Sequence, residues 1–313
     1  MPDNKDDIFN RELVQQLASS SLREQRARRR WSVFFKFLFF TYLITVTVFY
    51  YQADSSRDRH DDGKHAAIIA INGTITAEGD NSSDNINSLL RNAFNNEHAE
   101  GIILAINSPG GSAVESNRIY NEIRRLRKKH PEKPLIAVAG DFCASGGYFI
   151  AAAADNIYAD PASIIGSIGV IFSGFGFVGA MEKLGVERRV VTAGSNKNLL
   201  DPFLPQNADD EKIIDTLLQD VHALFKNAVI EGRGDRLTND SRLFDGTLFS
   251  GQSSVELGLI DGFNDTGGVA RDIIGVDNII YYQQRDWVSH FIGKFNKILA
   301  PTYSSGVRAS VGH

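Results

Sequence analysis

The turn at Ser145 is the first place where this sequence suggests chemistry. The segment Cys143-Ala-Ser145-Gly-Gly147 follows an apolar run that predicts a strand and precedes an Ala-rich run that predicts a helix. A serine there is exposed at the end of the strand with the N–H of Gly146 beside it, which is the arrangement of a nucleophile elbow. The alternatives are that Ser145 only caps the helix, or that Cys143 is the nucleophile rather than a small buried residue.

A second glycine-rich turn, Asn107-Ser-Pro-Gly-Gly-Ser112, also joins a predicted strand to a predicted helix. Its glycines allow backbone conformations that other residues avoid, and the N–H groups at the start of a helix point outward. Such a loop can bind an anion or the oxyanion of a reaction intermediate. It matches neither of the common glycine-rich nucleotide-binding patterns, and a plain connection between strand and helix is the alternative.

A nucleophilic serine needs a base, and the sequence offers Lys197 for that role. The seven histidines are scattered, mostly through predicted linker, helix and tail segments, and none can be placed opposite Ser145. A neutral lysine can act instead, because burial disfavours the charged amine, and Ser–Lys pairs are known variants of the catalytic triad. Lys197 lies in a loop after a predicted strand at Arg189–Thr192. An ordinary solvated lysine is the alternative.

Composition and charge narrow the class of protein. The 313 residues are 42% hydrophobic and 23% charged, which is typical of a globular protein and excludes a disordered or collagen-like one. A net charge of −5 argues against nucleic acid as a partner. One cysteine excludes an internal disulfide framework, and histidine, cysteine and acidic residues do not cluster with metal-ligand spacing. We therefore predict neither a metal nor a cofactor.

Strands and helices alternate through the middle of the chain. Apolar runs predict buried strands at 65–71, 101–107 and 134–140. Helical spacing and the residues at the segment ends predict helices at 83–96, 112–129 and 208–231. This alternation predicts an α/β fold with a parallel sheet.

The N-terminal part of the chain predicts a membrane anchor. Of the 21 residues from 31 to 51, 16 are apolar or aromatic, Lys36 is the only charged one, and an arginine-rich stretch precedes them. A helix of that length spans the hydrocarbon core of a bilayer. The arginines favour a cytoplasmic N-terminus and export of residues 52–313. A cleaved signal peptide would need small residues where the run ends in Phe49-Tyr50-Tyr51; a buried core helix is the other alternative.

Four segments together resemble the signal peptide peptidase A group of S49 serine peptidases, in its short membrane-anchored form. They are INSPGGSAVES (106–116), IAVAGDFCASGGYFIAAAAD (136–155), GSIGVI (166–171) and GSNK (194–197). The resemblance implies a Clp protease/crotonase-like α/β fold of repeated β-β-α units, preceded by one transmembrane helix. The expected divisions are a cytoplasmic segment (1–30), a signal anchor (31–51), a linker (52–64), a peptidase domain (65–285) and a tail (286–313).

The same resemblance assigns roles to individual residues. It implies that Ser145 and Lys197 form a catalytic Ser–Lys dyad. It implies that Ser167 helps to hold the lysine. The implied oxyanion hole is formed by Gly110, Gly111 and Gly146. No metal and no nucleotide takes part in the implied reaction.

The resemblance also implies substrates, partners and a location. It implies that remnant signal peptides are hydrolysed at the bacterial inner membrane by homo-oligomers whose active sites are built partly between subunits. The expected partners are therefore peptide substrates, the lipid membrane and further copies of the chain. Three alternatives remain open at this point: a peptidase of one specific membrane protein, a crotonase-like acyl-CoA enzyme, and a non-catalytic membrane scaffold. Apolar residues from Ile164 to Ile171 would line a substrate groove or belong to a core strand.

Overall fold

The computed structural model describes residues 29–47 and 63–283, and the chain divides into two units between Gly63 and Lys64. The predicted cytoplasmic segment up to residue 28, the end of the predicted anchor at 48–51, the linker up to residue 62 and the tail from residue 284 lie outside the described residues.

Residues 29–47 of the first unit form one helix, α1. Large apolar side chains are exposed along it, and Trp31, Phe37 and Ile44 are each more than half exposed. The Thr41 hydroxyl donates to the Phe37 carbonyl one turn earlier at 2.9 Å, which satisfies a polar group within the helix itself. Among the described residues, no helix has both the length and the apolar character needed to cross a membrane.

The second unit is built on one sheet of eight strands among the described residues. Its strands are β1 (His65–Asn72), β2 (Ala99–Ser108), β3 (Leu135–Ala144), β4 (Asn156–Ala159), β5 (Ile164–Gly166), β6 (Leu248–Ser250), β7 (Gly262–Phe263) and β8 (Ile279–Tyr282). The order is β6-β5-β3-β2-β1-β8, and β4 lies between β3 and β7 off this path. The pairs are parallel except for β5 with β6. The predicted α/β class with a largely parallel sheet is therefore confirmed.

Helices connect and cover these strands. They are α2 (Ser83–Asn95), α3 (Ala113–Lys129), α4 (Gly146–Ala151), α5 (Val178–Leu184), α6 (Ala208–Arg233), α7 (Gly251–Glu256) and α8 (Thr266–Gly268), which continues as a π-helix over Val269–Ile274. The predicted helices at 83–96, 112–129 and 208–231 correspond to α2, α3 and α6 within a few residues at each end.

Both faces of the central strands are buried. On one face Ile69 and Leu104 pack in the main core with side chains of α2, α3, α4 and α6. On the other face Ile68 and Ile103 pack against Val269 of the π-helix. Because successive strand residues point to opposite faces, a strand that is covered on both faces has a continuous apolar sequence, as β1 and β2 do.

A buried ion pair fixes the end of α6. Arg233 is almost fully buried, and two of its guanidinium nitrogens donate to the Asp261 carboxylate at 2.7 and 3.0 Å. The Ile157 N–H at the start of β4 donates to the same carboxylate at 2.7 Å. Burial alone would raise the pKa of Asp261, but the hydrogen bonds from Arg233 and Ile157 hold it below its ordinary value. The pair thus joins α6 to the edge of the sheet.

Two sequence-based predictions of local structure were wrong. Strand β3 does not end at residue 140 but continues to Ala144, so that Cys143 belongs to the strand and pairs with Ser108 and Ile165. Residues 189–192 are not a strand; they lie in a stretch, residues 171–207, in which no residue is buried. Strand propensity takes effect only where a neighbouring strand supplies hydrogen bonds and packing, and Val191 is fully exposed. We call residues 171–207 the exposed segment.

Candidate active site

Ser145 lies in a strained turn between β3 and α4. Its backbone has φ 49° and ψ −122°, a left-handed value that a residue with a side chain rarely adopts. Such a conformation costs on the order of 1–3 kcal/mol and persists only where the surroundings impose it. Here the Ser145 N–H donates to the Gly166 carbonyl at 2.8 Å. The Ser145 hydroxyl makes no capping hydrogen bond to α4, so the helix-cap interpretation does not account for the serine.

The Asn107–Ser112 turn packs directly against this elbow. A Cβ placed on Gly110 would lie 2.7 Å from the Ser145 Cβ and 3.0 Å from its hydroxyl oxygen. A Cβ on Gly111 would lie 2.1 Å from the carbonyl oxygen of Ile75. Both contacts are far shorter than side chains allow. Glycine at position 110 therefore permits the close approach to the elbow, and glycine at position 111 permits the close approach to Ile75.

Two backbone N–H groups flank the serine. Within the described residues, no protein acceptor takes up the N–H of Gly111 or that of Gly146. The two residues are neighbours, because a Cβ on Gly146 would lie 3.3 Å from the Gly111 nitrogen. A pair of fixed N–H donors beside a serine hydroxyl can stabilise the oxyanion of a tetrahedral intermediate. The structure thus brings together Ser145, Gly146, Gly110 and Gly111.

The sequence did not reveal the segment that holds the Asn107–Ser112 turn in place. The Ile75 N–H donates to the Gly110 carbonyl, and the Ile75 carbonyl accepts from the Ser112 N–H, both at 2.9 Å. A carboxylate oxygen of Glu115, which is buried, accepts from the Ser83 N–H at 2.7 Å and so joins the starts of α2 and α3. This backbone bond, with its side-chain counterpart, holds the pKa of Glu115 below its ordinary value. The available signal was weak: a lone isoleucine after the Asn72-Gly73 turn.

Ser116 lies behind the same N–H pair. Its side chain is fully buried, and its hydroxyl donates to the Ser112 carbonyl at 2.9 Å. A Cβ on Gly146 would lie 2.5 Å from that hydroxyl oxygen. The hydroxyl therefore fills the space that any larger residue at position 146 would need.

Ser167 comes directly after Gly166, whose carbonyl accepts the hydrogen bond from the Ser145 N–H. It also has a left-handed backbone, with φ 51°. The Ser167 N–H donates to the Thr247 carbonyl at 2.8 Å, and its carbonyl accepts from the Gly169 N–H at 2.9 Å. Of the apolar residues around it, Ile165 and Ile168 are buried in the core, as expected for a core strand. Ile171 is 84% exposed, so it is free to line a substrate groove.

Lys197 is not brought to Ser145 within one chain. It lies exposed in a turn of the exposed segment, and its N–H donates to the Gly194 carbonyl at 3.2 Å. In the described part of the chain, no hydrogen bond joins the Lys197 amine to Ser145 or to Ser167. The Ser–Lys pairing therefore stays a prediction.

Cys143 is a poor competitor for the role of nucleophile. Its side chain is buried in β3, and burial raises the pKa of the thiol to about 12. The thiolate is the reactive form of cysteine, so the thiol is inert near neutral pH and acts as a small core residue.

A cavity of about 500 Å³ opens near the carboxyl ends of β1 to β4. Asn72, Asn107, Asp160, Phe263 and Asp265 are among the residues that line it, and neither Ser145 nor Ser167 is. Among the described residues, no group of three or more histidine, cysteine or acidic side chains could hold a metal ion.

Two sequence families match the chain. Peptidase family S49 matches residues 127–272, and Clp protease matches residues 57–165. The two matches overlap across Ser145, and the second supports a Clp protease-like α/β domain.

Named relatives cover parts of the chain. A Na(+)/H(+) antiporter NhaA of Brucella abortus is 42% identical over 66% of this chain, but the match covers only 29% of that protein. A protein provisionally named signal peptide peptidase SppA, from Enterococcus faecium, is 29% identical over 68% of this chain and 65% of its own length. Protease 4 of Haemophilus influenzae is 32% identical over 66% of this chain and 34% of its own length. The chain thus spans less than two thirds of each relative.

Proposed function

The chain belongs to peptidase family S49, and from that premise we propose that it is a serine endopeptidase with Ser145 as its nucleophile. The observation that carries the proposal is the strained elbow at Ser145, beside the N–H groups of Gly111 and Gly146, neither of which has a protein acceptor among the described residues. An acyl-CoA enzyme of related fold would use such an N–H pair without a serine in a strained elbow. The strain at Ser145 thus favours covalent catalysis.

The proposed reaction has two steps. The Ser145 oxygen attacks the peptide carbonyl carbon as its proton passes to a base, and the carbonyl oxygen becomes an anion held by the N–H groups of Gly111 and Gly146. Collapse of this intermediate breaks the C–N bond, and the base returns the proton to the leaving amine. Water then attacks the acyl-serine by the same route and restores the Ser145 hydroxyl.

We assign the base to Lys197, with Ser167 orienting its amine. Because Lys197 is exposed within one chain, it needs a partner surface that excludes water and favours the neutral amine. The exposed segment that carries Lys197 offers apolar area for packing against such a partner, since Ile171, Phe175 and Val191 are more than four fifths exposed. Exposed apolar surface of this extent indicates an interface. We therefore propose a homo-oligomer in which the exposed segment packs against a neighbouring copy and completes the site.

The N-terminal helix supports a location at a membrane. Helix α1 exposes large apolar side chains along its length, and such side chains are suited to a lipid environment. We propose that residues 31–51 form a single span in the bacterial inner membrane, with the N-terminus in the cytoplasm and the peptidase domain outside it. Peptides left in the bilayer after preprotein processing, remnant signal peptides above all, would then be the substrates; one specific membrane protein is the alternative substrate.

Hydrolysis of a fluorogenic apolar peptide by the detergent-solubilised full chain tests the proposal. Ser145→Ala is expected to lower kcat by at least about a thousandfold without changing the size of the assembly, because the nucleophile is lost and the fold is not. Ser241→Ala, an exposed serine away from the elbow, is the matched control and should behave as the wild type. Wild-type activity that survives in Ser145→Ala would contradict the proposal. Binding of acyl-CoA by an inactive wild type would favour the crotonase-like alternative.

A further inference from the structure

A histidine of α6 reaches the loop that carries Ser167. The Nε2 atom of His222 lies 3.1 Å from the carbonyl oxygen of Ile168, and the histidine side chain is partly buried. A carbonyl oxygen has no proton to give, so this contact requires a hydrogen on Nε2. His222 is therefore the donor, either as the Nε2–H tautomer or as the imidazolium.

The position of His222 on α6 connects two parts of the candidate site. One turn later on the same helix, Phe225 is buried, and its ring lies 4.9 Å from the ring of Phe149 in α4. Residues three apart lie on the same face of a helix. A single face of α6 thus contacts both the helix that begins at the elbow and the loop that follows β5.

The loop needs such support because its conformation is costly. Ser167 has φ 51°, and a left-handed backbone at a serine persists only where other contacts impose it. The carbonyl just before it, that of Gly166, accepts the Ser145 N–H, so a shift of the loop would also disturb the elbow. Besides the backbone bonds of Gly166 and Ser167 and the packing of the Ile168 side chain in the core, a side-chain hydrogen bond from His222 to the Ile168 carbonyl holds the loop.

We propose that His222 is a positioning residue for the peptidase reaction: its Nε2–H holds the Ile168 carbonyl and thereby fixes both Ser167 and the elbow at Ser145. His222 touches neither the proposed nucleophile nor the proposed base, so it acts through the loop. The inference rests on the proposed function for its catalytic meaning, whereas its structural part stands on the contacts alone.

Three substitutions test it in the full chain in detergent. His222→Gln places an amide N–H near the position of Nε2 and can keep the bond, whereas His222→Leu keeps bulk without a donor. His222→Asn keeps a polar amide that is too short to reach Ile168. Gln219→Leu, at an exposed position on the same helix, is the matched control. Peptide hydrolysis and deuterium uptake at the Ser145 and Ser167 amides are both measured.

We expect His222→Leu and His222→Asn to lower kcat about tenfold with KM within about twofold, as for the loss of one partly buried hydrogen bond. Deuterium uptake at Ser145 and Ser167 should rise in the same two variants. His222→Gln and Gln219→Leu should stay near the wild type in both measurements. A merely structural role would lower the melting temperature without this rescue by glutamine.

Two outcomes would overturn the inference. One is unchanged uptake at Ser145 and Ser167 in both His222→Leu and His222→Asn, and the other is a glutamine variant as impaired as the leucine variant. If the leucine variant does not fold, the comparison of asparagine with glutamine decides. If the wild type hydrolyses no peptide, the proposed function fails, and the exchange measurement still decides whether His222 holds the loop.

Discussion

The two parts of the proposed dyad lie in regions of opposite character. Ser145 and the N–H groups beside it are fixed by a sheet whose central strands are buried on both faces. Lys197 lies in the exposed segment, where no residue is buried. The difference shows which part of the chemistry one copy of the chain can organise alone. The proposed nucleophile and oxyanion hole are built into the core, whereas the proposed base is exposed in one copy of the chain and would need a neighbouring copy to cover it.

The exposed segment nevertheless has local order of its own. The rings of Phe177 and Phe203 stack with centroids 5.3 Å apart, and the Arg188 guanidinium lies 5.7 Å from the centre of the Phe203 ring. Arg188 also donates to Asp201 at 2.9 Å. These contacts hold the segment in shape without joining it to the core. A preformed but unburied segment is suited to packing against another molecule.

The largest expected effect separates a site within one chain from a site between copies. Ser145→Ala and Lys197→Ala should each be inactive when expressed alone. Co-assembled in equal amounts, they should recover about a quarter of wild-type hydrolysis, because that share of random neighbours pairs an intact serine with an intact lysine.

The control for this mixture removes the possibility of complementation. Ser145→Ala is co-assembled with a copy that carries both substitutions, so that no intact serine is present anywhere. This assembly should be inactive. An inactive mixture of the two single variants, in assemblies shown to contain both, would mean instead that Lys197 reaches Ser145 within its own chain or is not the base.

Sequence alone predicted the buried central sheet well and the exposed segment poorly. Apolar runs gave β1 and β2 within two residues at each end, because burial on both faces leaves a continuous apolar pattern. The same rule predicted a strand at 189–192, where Val190 and Val191 have no partner strand among the described residues. Periodicity records what a segment could bury, and it does not say whether another segment is there to bury it.

In the candidate site too, some features could be predicted from the sequence and others could not. The two glycine turns could be predicted because glycine is needed wherever backbones approach closely. The support from Ile75, Glu115 and His222 could not be predicted, since each contact joins residues distant in sequence and depends on how the helices are placed. The interpretation of Lys197 as a solvated lysine agrees with its exposure in one chain, and only an assembly can test the other interpretation.

A smaller effect is expected from adding one methyl group to the Asn107–Ser112 turn. Gly111→Ala should lower kcat/KM about a hundredfold or more, because the new Cβ would meet the Ile75 carbonyl at 2.1 Å and displace an oxyanion donor. Gly262→Ala is the matched control for activity, since its Cβ would meet only ordinary contacts with Tyr158 at 3.6 Å. Normal hydrolysis by Gly111→Ala would remove Gly111 from the oxyanion hole.

The same substitution in the exposed segment sharpens the contrast in stability. A Cβ on Gly174 would meet nothing within 4 Å. Gly174→Ala should therefore leave the melting temperature within about a degree of the wild type, whereas Gly111→Ala should lower it by several degrees. A large loss of stability in Gly174→Ala would show that the exposed segment is packed against something in the protein as isolated.

A last contrast compares one arginine from each region in the free energy of unfolding. Arg233→Met leaves the Asp261 carboxylate without its main partner in a buried site and should cost about 3–5 kcal/mol. Arg188→Met removes an ion pair whose arginine is about half exposed and should cost less than about 1 kcal/mol. Denaturant titration of both variants measures the difference, and equal losses would contradict the assignment of the two regions.

The pH dependence of that difference identifies its cause. Because the pKa of Asp261 is lowered in the folded protein, its stabilising contribution is present above the ordinary carboxylate pKa and is lost as the pH falls through the folded value. The wild type should therefore lose stability on acidification, whereas Arg233→Met has already lost most of this contribution. The difference in the free energy of unfolding between the wild type and Arg233→Met should therefore become smaller below about pH 4. A gap that stays constant would mean that Arg233 stabilises α6 through packing of its side chain rather than through the charge on Asp261.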